Sequence, residues 1–321
     1  MKYRRLGNTA LKVSELCLGT MNFGPRTSEQ ESHFILDTAV EHGINFVDTA
    51  NQYGGALGVG TTESILGRWL AADRGRRDRI VLATKVHQPM SDDINDRGLS
   101  ARHIQMACDA SLQRLQVDHI DLYQFHHVDR LASPEEFWQA TDRLIAQGKI
   151  TYVGSSNFPG WKIAQANEKA AKRGRLGLVS EQSLYNLLER RVELEVLPTA
   201  KEYGTGVIAW SPLAGGLLAG LAQEAGQRRG SDATQAARKV HADQLAQFED
   251  LCAALGEPPS IVALAWLLHQ PGISAAIIGP GTQAQMIALL ATSDLVLHKD
   301  TLTKLDVIFP PCGPAPEAYA W

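Results

Sequence analysis

Residues 120–154 read IDLYQFHHVDRLASPEEFWQATDRLIAQGKITYVG, and this stretch decides the fold. It opens on an apolar run, Ile120–Phe125, rich in β-branched and aromatic residues, and closes on another, Ile150–Gly154. Each is a few residues long, as suits a strand buried on both faces. Between them Ser133-Pro134-Glu135-Glu136 starts a helix: Ser as cap, Pro at the first helical position, acids in the first turn. Strand, helix and strand in that order make a parallel β-α-β unit.

The same alternation runs outward in both directions. Further short apolar runs lie at Leu16–Leu18, Ile44–Val47, Ile80–Thr84, Leu178–Ser180, Gly206–Trp210 and Ala275–Ile278, making eight in all. Helical patterns separate them: Glu29–His42 behind Thr27-Ser28, Ser100–Leu115 with Ile104, Ala107, Ser111 and Leu115 on one face, and a helix opened by Pro259-Ser260-Ile261 and running through Leu268. Eight units without a long interruption predict a closed (β/α)8 TIM barrel, one domain over 1–321. Two pieces lie outside the repeat. Lys2–Glu15, with its Gly7-Asn8-Thr9 turn, reads as an N-terminal β-hairpin. Leu213–Val240, after the seventh strand, is too long for a simple connection and reads as a functional loop or a partly disordered one. The tail Pro310–Pro316 is too proline-rich for regular structure.

Composition is that of a globular protein: 44% hydrophobic, 21% charged, formal net charge −4. No basic run tracks a phosphate backbone, which argues against nucleic acid as a partner. The four cysteines, Cys17, Cys108, Cys252 and Cys312, are spaced for neither zinc nor a disulfide framework and read as free thiols of a reducing compartment. No apolar stretch is long enough to span a bilayer and none follows the N-terminus as a leader would, so the expectation is a cytoplasmic protein without a membrane partner.

In such a barrel the reactive groups gather at the carboxyl ends of the strands. Consecutive strands there end on Asp48, Lys85 and His126, and Tyr53 follows Asp48 in a glycine-containing loop, Asn51-Gln52-Tyr53-Gly54-Gly55. Singly, Asp48 reads equally as a helix cap, Lys85 as a salt-bridge partner, His126 as a rim histidine and Tyr53 as a packing residue. Together they make an acid–base device. An ammonium near a phenol stabilises the phenolate and lowers a pKa that is otherwise near 10. Asp48 orients the ammonium, and His126 donates to a substrate oxygen.

The ordered set of strand ends resembles the aldo-keto reductase family over nearly the whole chain. The matching stretches are Phe46-Val47-Asp48-Thr49-Ala50 with Tyr53, then Thr84-Lys85, Asp121–His126, Val153-Gly154-Ser155-Ser156-Asn157-Phe158, Glu181-Gln182 and Trp210-Ser211-Pro212-Leu213. The hairpin is similar to the family's barrel-bottom plug. The resemblance implies NADPH-dependent reduction of aldehydes and ketones, with Tyr53 as general acid, Lys85 and Asp48 as its tuning partners and His126 as substrate orienter. It places Ser156, Asn157 and Gln182 on the nicotinamide carboxamide and the Trp210 ring against the nicotinamide.

A Rossmann fingerprint is absent: Gly58-Val59-Gly60-Thr61-Thr62-Glu63 lacks the last glycine and follows no strand. In its place Ser211 and Pro212–Leu217, including Leu213 and Gly215, offer backbone N–H groups to a pyrophosphate, with Arg228 and Arg229 as further charges. Gly279, Gly281, Thr282 and Gln285 match the family's adenosine-end segment. Members usually carry a basic residue in place of Gly281 and commonly Asn in place of Leu289. A missing basic side chain removes a charge-assisted bond to a 2′-phosphate, so NADH is an expected alternative to NADPH.

The substrate is expected to be a small carbonyl compound. Met21, Phe23, Tyr53 and Trp210 are expected to form an apolar rim, and His127 and Asp129, next to His126, to face the mouth or solvent. Met21–Gly24 and Ser183–Arg190 are similar to a bacterial branch that includes keto-deoxysugar reductases. Two other readings stand beside the enzyme: a non-catalytic, cofactor-sensing regulatory subunit, and a metal-dependent hydrolase built on Asp48, His126, His127 and Asp129. Lys85 beside Asp48 disfavours a cation there, so no metal site is expected. Oligomeric state is not readable.

Overall fold

A computed structural model describes residues 1–220 and 232–315. Ten strands are present among the described residues. Tyr3–Arg5 (β1) and Lys12–Ser14 (β2) pair antiparallel as the hairpin. The other eight are Leu16–Gly19 (β3), Phe46–Asp48 (β4), Val81–Val86 (β5), Ile120–Phe125 (β6), Ile150–Ser156 (β7), Leu178–Leu184 (β8), Gly206–Trp210 (β9) and Ile273–Ile278 (β10). They are parallel and close in sequence order, β10 pairing with β3. The fold is the (β/α)8 barrel that the alternation of runs indicates.

Ser28 and Ser133 cap where the sequence puts them, and Ser100, read as the first residue of its helix, is also a cap. Ser28, Ser100 and Ser133 each accept a hydrogen bond from the backbone N–H three residues on, starting helices Glu29–Glu41, Ala101–Leu115 and Pro134–Ala146. Ile104, Ala107, Ser111 and Leu115 are buried together.

Period-2 alternation sorts the strand residues between two cores. Val47, Leu82, Tyr123 and Phe125 face the helices and join the large outer cluster. Phe46, Val81, Ala83 and Leu122 point into the barrel, where they meet Leu6 and Val13 of the hairpin. The hairpin therefore plugs the amino end of the barrel. Gly7 makes this possible: at φ 57° a side chain is strained, and a Cβ would lie 2.5 Å from the Val179 carbonyl oxygen.

The segment after β9 differs from the expected loop. Ala214–Ala219 forms 3₁₀ turns, and Asp232–Val240 is helical and leads to helix Ala242–Leu255. Arg228 and Arg229 lie outside the described residues. No single helix among those described is long and apolar enough to cross a membrane. Helix Pro259–His269 is apolar because Ile261–Leu268 are all buried in the protein's own core. Residues 310–315 carry no regular structure, and Pro316 lies outside the described range.

Candidate active site

The alternation that fills the lower barrel with apolar side chains brings polar ones inward at the top. Asp48 follows Phe46 by two, Lys85 follows Ala83, and Gln124 and His126 follow Leu122. The Lys85 side chain is fully buried and that of Asp48 nearly so. Lys85 Nζ forms an ion pair with Asp48 Oδ2 and donates to the Thr49 carbonyl at 2.8 Å. Asp48 Oδ1 accepts from Gln124 Nε2 and from Gln182 Nε2, each at 2.9 Å. Gln182 lies on β8, so this carboxylate ties together both sides of the barrel. A buried ion pair persists only when its remaining lone pairs and protons are satisfied, and here they are.

Tyr53 completes the cluster, its hydroxyl 3.4 Å from Lys85 Nζ. The loop that returns it folds at Gly54, where a Cβ would lie 1.8 Å from the Gly58 carbonyl oxygen. The Tyr53 ring meets His126 edge-on at 5.8 Å. Burial would lower the Lys85 pKa, but the Asp48 carboxylate and the Tyr53 phenol outweigh it and raise it. The ammonium thus stays charged through the neutral range. Burial, reinforced by Lys85 and two neighbouring histidines, lowers His126 to about 2, so its ring is neutral. His126 Nδ1 is buried without a partner. A proton placed there would be desolvated and unpaired, so it resides on Nε2, the ring nitrogen left open, as a donor.

The next strands add an amide platform. Ser156 Oγ donates to the Gln182 carbonyl at 2.8 Å, and Asn157 Nδ2 donates to the His126 carbonyl and to Ser156 Oγ, each at 3.0 Å. Trp210 Nε1 donates to Asn157 Oδ1 at 3.1 Å. Backbone strain collects on this rim. Of five non-glycine residues with positive φ among those described, His87, Asn157, Ser211 and Ala214 follow β5, β7 and β9.

The turn after β9 is wound on itself. The N–H groups of Ala214, Gly215 and Gly216 go to Ser211 O, Ser211 Oγ and Leu213 O. Each of these bonds lies within the turn. The space around the Gly215 Cα is open. The segment after β10 is a separate cluster. Asn22 donates to Gly279 O, Thr27 to Gly281 O, and Gly281 N to Gln285 Oε1, while Thr282 caps the following helix. The Gln283 N–H is taken at 2.6 Å by the Glu31 carboxylate. An acid therefore sits at the start of the helix that follows Gly281. Leu289 ends that helix.

One expectation needs correction. Phe23 is wholly buried in the outer core and does not line the rim, whereas Met21 is 43% exposed. The Asp129 carboxylate accepts from the N–H groups of Leu99, Leu131 and Ala132. Among the described residues no three His, Cys, Asp or Glu side chains converge as metal ligands.

Sequence reasoning gave no role to Gln124, Glu181 or His87. His87 directly follows β5, two residues beyond Lys85, and position was its only signal. Glu181 is fully buried without a cation and accepts from Ser155 Oγ, from Ser183 Oγ at 2.9 Å and from Phe158 N at 3.0 Å, pinning the strap that carries Ser156 and Asn157. Burial raises its pKa from 4.5 to about 7. A carboxyl raised on folding adds stability in full below its unfolded pKa, and that stability is lost as pH rises through the folded value. The Glu181→Gln variant should therefore gain on the wild type by about 3 kcal/mol between pH 4.5 and 8. Urea melts at both pH values would show it; a difference constant with pH would contradict it.

A closed β/α barrel whose carboxyl rim joins a buried Asp–Lys pair to a phenol and a neutral imidazole defines a class of oxidoreductase. The aldo/keto reductase family model matches residues 15–309. An uncharacterized oxidoreductase of Bacillus subtilis, YrpG, is 50% identical over the whole of both chains. Versiconal hemiacetal acetate reductase of Aspergillus parasiticus is 31% identical over 97% of this chain and 98% of its own. A probable voltage-gated potassium channel subunit beta of Arabidopsis thaliana is also 31% identical, over 99% of this chain and all of its own. The chain belongs to the aldo/keto reductase family. It is an NAD(P)H-dependent oxidoreductase that acts on carbonyl compounds.

Proposed function

We propose that the chain reduces an aldehyde or ketone to an alcohol, with Tyr53 giving the proton to the carbonyl oxygen as hydride reaches the carbonyl carbon. The observation that carries this reading is the Tyr53 hydroxyl 3.4 Å from the buried ammonium of Lys85. A reduced nicotinamide dinucleotide, when bound, supplies the hydride. The C=O π pair moves onto oxygen, Tyr53 protonates that oxygen, and Lys85, held by Asp48, stabilises the phenolate left behind. His126, neutral and protonated on Nε2, donates to the same oxygen and orients it.

The residues fit the cofactor. Gln182 Oε1 and Asn157 Oδ1 keep acceptor capacity, and Ser156 Oγ can take a further bond, so these three would hold a carboxamide beside Tyr53. Trp210, anchored through its indole N–H, would cover the nicotinamide. Ser211, Leu213 and Gly215 would meet the pyrophosphate, and Gly279, Gly281, Thr282 and Gln285 the adenosine end. The whole chain, 1–321, would act as one catalytic domain in the cytoplasm on a small-molecule substrate.

Preference for NADPH over NADH is proposed to be weak. Gly281 offers no side chain to a 2′-phosphate, and Glu31 places a negative charge two residues on. Tryptophan quenching by NADPH and by NADH, titrated separately, tests cofactor binding and preference together; failure to bind either would remove this function. The Gly281→Arg variant should tighten NADPH by about ten-fold, the worth of one charge-assisted hydrogen bond, and leave NADH nearly unchanged. A Cβ fits there, with its nearest neighbours 3.5 and 3.8 Å away. Equal change for both dinucleotides would show that the 2′-phosphate lies elsewhere.

The Arabidopsis relative favours a second reading, a non-catalytic subunit that senses cofactor. Tight dinucleotide binding with no turnover on a broad carbonyl panel would select it.

A further inference from the structure

Behind the tyrosine loop lies a buried acid to which the reduction assigns no part. Glu63 stands in the first turn of helix Thr61–Ala72 and is wholly buried. Thr84 Oγ1 donates to its Oε1 at 2.5 Å, and Arg114 Nε donates to its Oε2 at 2.8 Å. Thr84 is the β5 residue before Lys85, and Arg114 lies in the last turn of helix Ala101–Leu115. One carboxylate therefore joins a strand to two helices. A carboxylate is taken out of water only where it is paired and hydrogen-bonded, and Glu63 is both.

The same turn of helix is tied to the tyrosine. The Thr62 N–H donates to the Tyr53 carbonyl at 3.2 Å, and Thr62 Oγ1 donates to the Phe23 carbonyl at 3.0 Å. One turn further on, Gly67 meets the end of the neighbouring helix so closely that a Cβ would lie 2.1 Å from the Arg114 carbonyl oxygen. A short closed path results. It runs from Lys85 by a peptide link to Thr84, by a hydrogen bond to Glu63, by a peptide link to Thr62 and by a hydrogen bond to Tyr53. The contact that this path spans has little stiffness of its own. The Tyr53 hydroxyl lies 3.4 Å from Lys85 Nζ, long for a hydrogen bond, whereas Lys85 itself is fixed by Asp48 and the Thr49 carbonyl. Where the hydroxyl stands thus depends on where the loop holds the Tyr53 backbone.

We propose that Glu63, acting with Thr84, is a positioning residue for the reduction: it holds Tyr53 at the distance from Lys85 at which the phenol can give up its proton. This rests on the reduction proposed above and adds to it a residue that touches neither substrate nor cofactor. A displacement of about 1 Å at a reacting group can cost about a hundred-fold in rate, so a joint of this kind acts on kcat.

The test counts turnover per dinucleotide-binding site, titrated by tryptophan quenching, so that loss of folded protein does not enter. Glu63→Leu should lower kcat per site by about ten- to a hundred-fold and leave KM and dinucleotide affinity nearly unchanged. Thr84→Val removes one hydroxyl and should lower kcat by about three- to ten-fold, the worth of one hydrogen bond. Glu63→Gln can still accept from Arg114 and donate to Thr84 Oγ1, and should retain most of the rate. In a Tyr53→Phe background Glu63→Leu and Thr84→Val should cost nothing further, because the group they position is gone. A merely structural role would not give that non-additivity. Unchanged kcat per site in both Glu63→Leu and Thr84→Val overturns the positioning role and leaves the reduction standing. The same loss repeated in the Tyr53→Phe background does so too. Thr84→Val decides alone if Glu63→Leu does not fold. Turnover of Tyr53→Phe equal to that of the wild type overturns Tyr53 as proton donor, and the role of Glu63 with it.

Discussion

Replacing Tyr53 by Phe is expected to lower turnover by roughly 10²–10⁴, the usual contribution of a positioned general acid, and to leave dinucleotide affinity nearly unchanged. The substitution removes one oxygen and keeps the ring that meets His126 edge-on. Lys85 stays paired with Asp48 and the Thr49 carbonyl, so the buried charge is not orphaned. The loss should therefore fall on kcat and kcat/KM alike, as for an interaction made only in the transition state. Unchanged turnover would sink the mechanism. His126, neutral down to about pH 2, should give no inflection to the pH profile between pH 4 and 9.

The second large effect belongs to Lys85. The Lys85→Met variant should lose activity and also about 3–5 kcal/mol of stability, because it strands the Asp48 carboxylate inside the barrel. Only the amides of Gln124 and Gln182 would remain to it. Adding Asp48→Leu should return most of the stability, since removing both partners of a buried pair is often near neutral, and none of the activity. Urea melts and kcat on the single and double variants separate the two roles. A single variant as stable as the wild type would mean that the pair does not hold the barrel top together. The sign with pH is fixed by the raised Lys85 pKa: the stabilisation is complete below the unfolded value of 10.5 and lost as pH climbs past the higher folded one. It should be constant across the neutral range.

Both effects come from one architectural fact. The barrel interior is apolar where it meets the hairpin, at Phe46, Val81 and Leu122, and polar one layer up, at Asp48, Lys85, Gln124 and Gln182. The upper layer pairs its own charged and amide groups, so the ammonium beside Tyr53 is held in place before any ligand arrives.

The eight strands were legible in the sequence because each is a short apolar run buried on both faces. The helix starts were legible because Thr27-Ser28 and Ser133-Pro134 are local signals. Asp48, Lys85 and His126 could be picked out because strand ends in a barrel share one rim, whatever their separation along the chain. What local pattern could not carry is which groups meet across the barrel or between loops. Gln124 and Gln182 share Asp48 only because β4, β6 and β8 close into one cylinder. Phe23 reads as a rim residue until the fold buries it, and Glu31 joins the segment after β10 from a helix some 250 residues away in sequence. His87 and His127, unremarkable in their own stretches, meet edge-on only because β5 and β6 lie side by side. Periodicity and capping, which depend on near neighbours, determined the barrel and the order of its strand ends. Closure of the barrel, which sets distances between residues far apart in the chain, decided the hydrogen bonds and the burial at its mouth, and with them the neutral ring of His126 and the ammonium of Lys85.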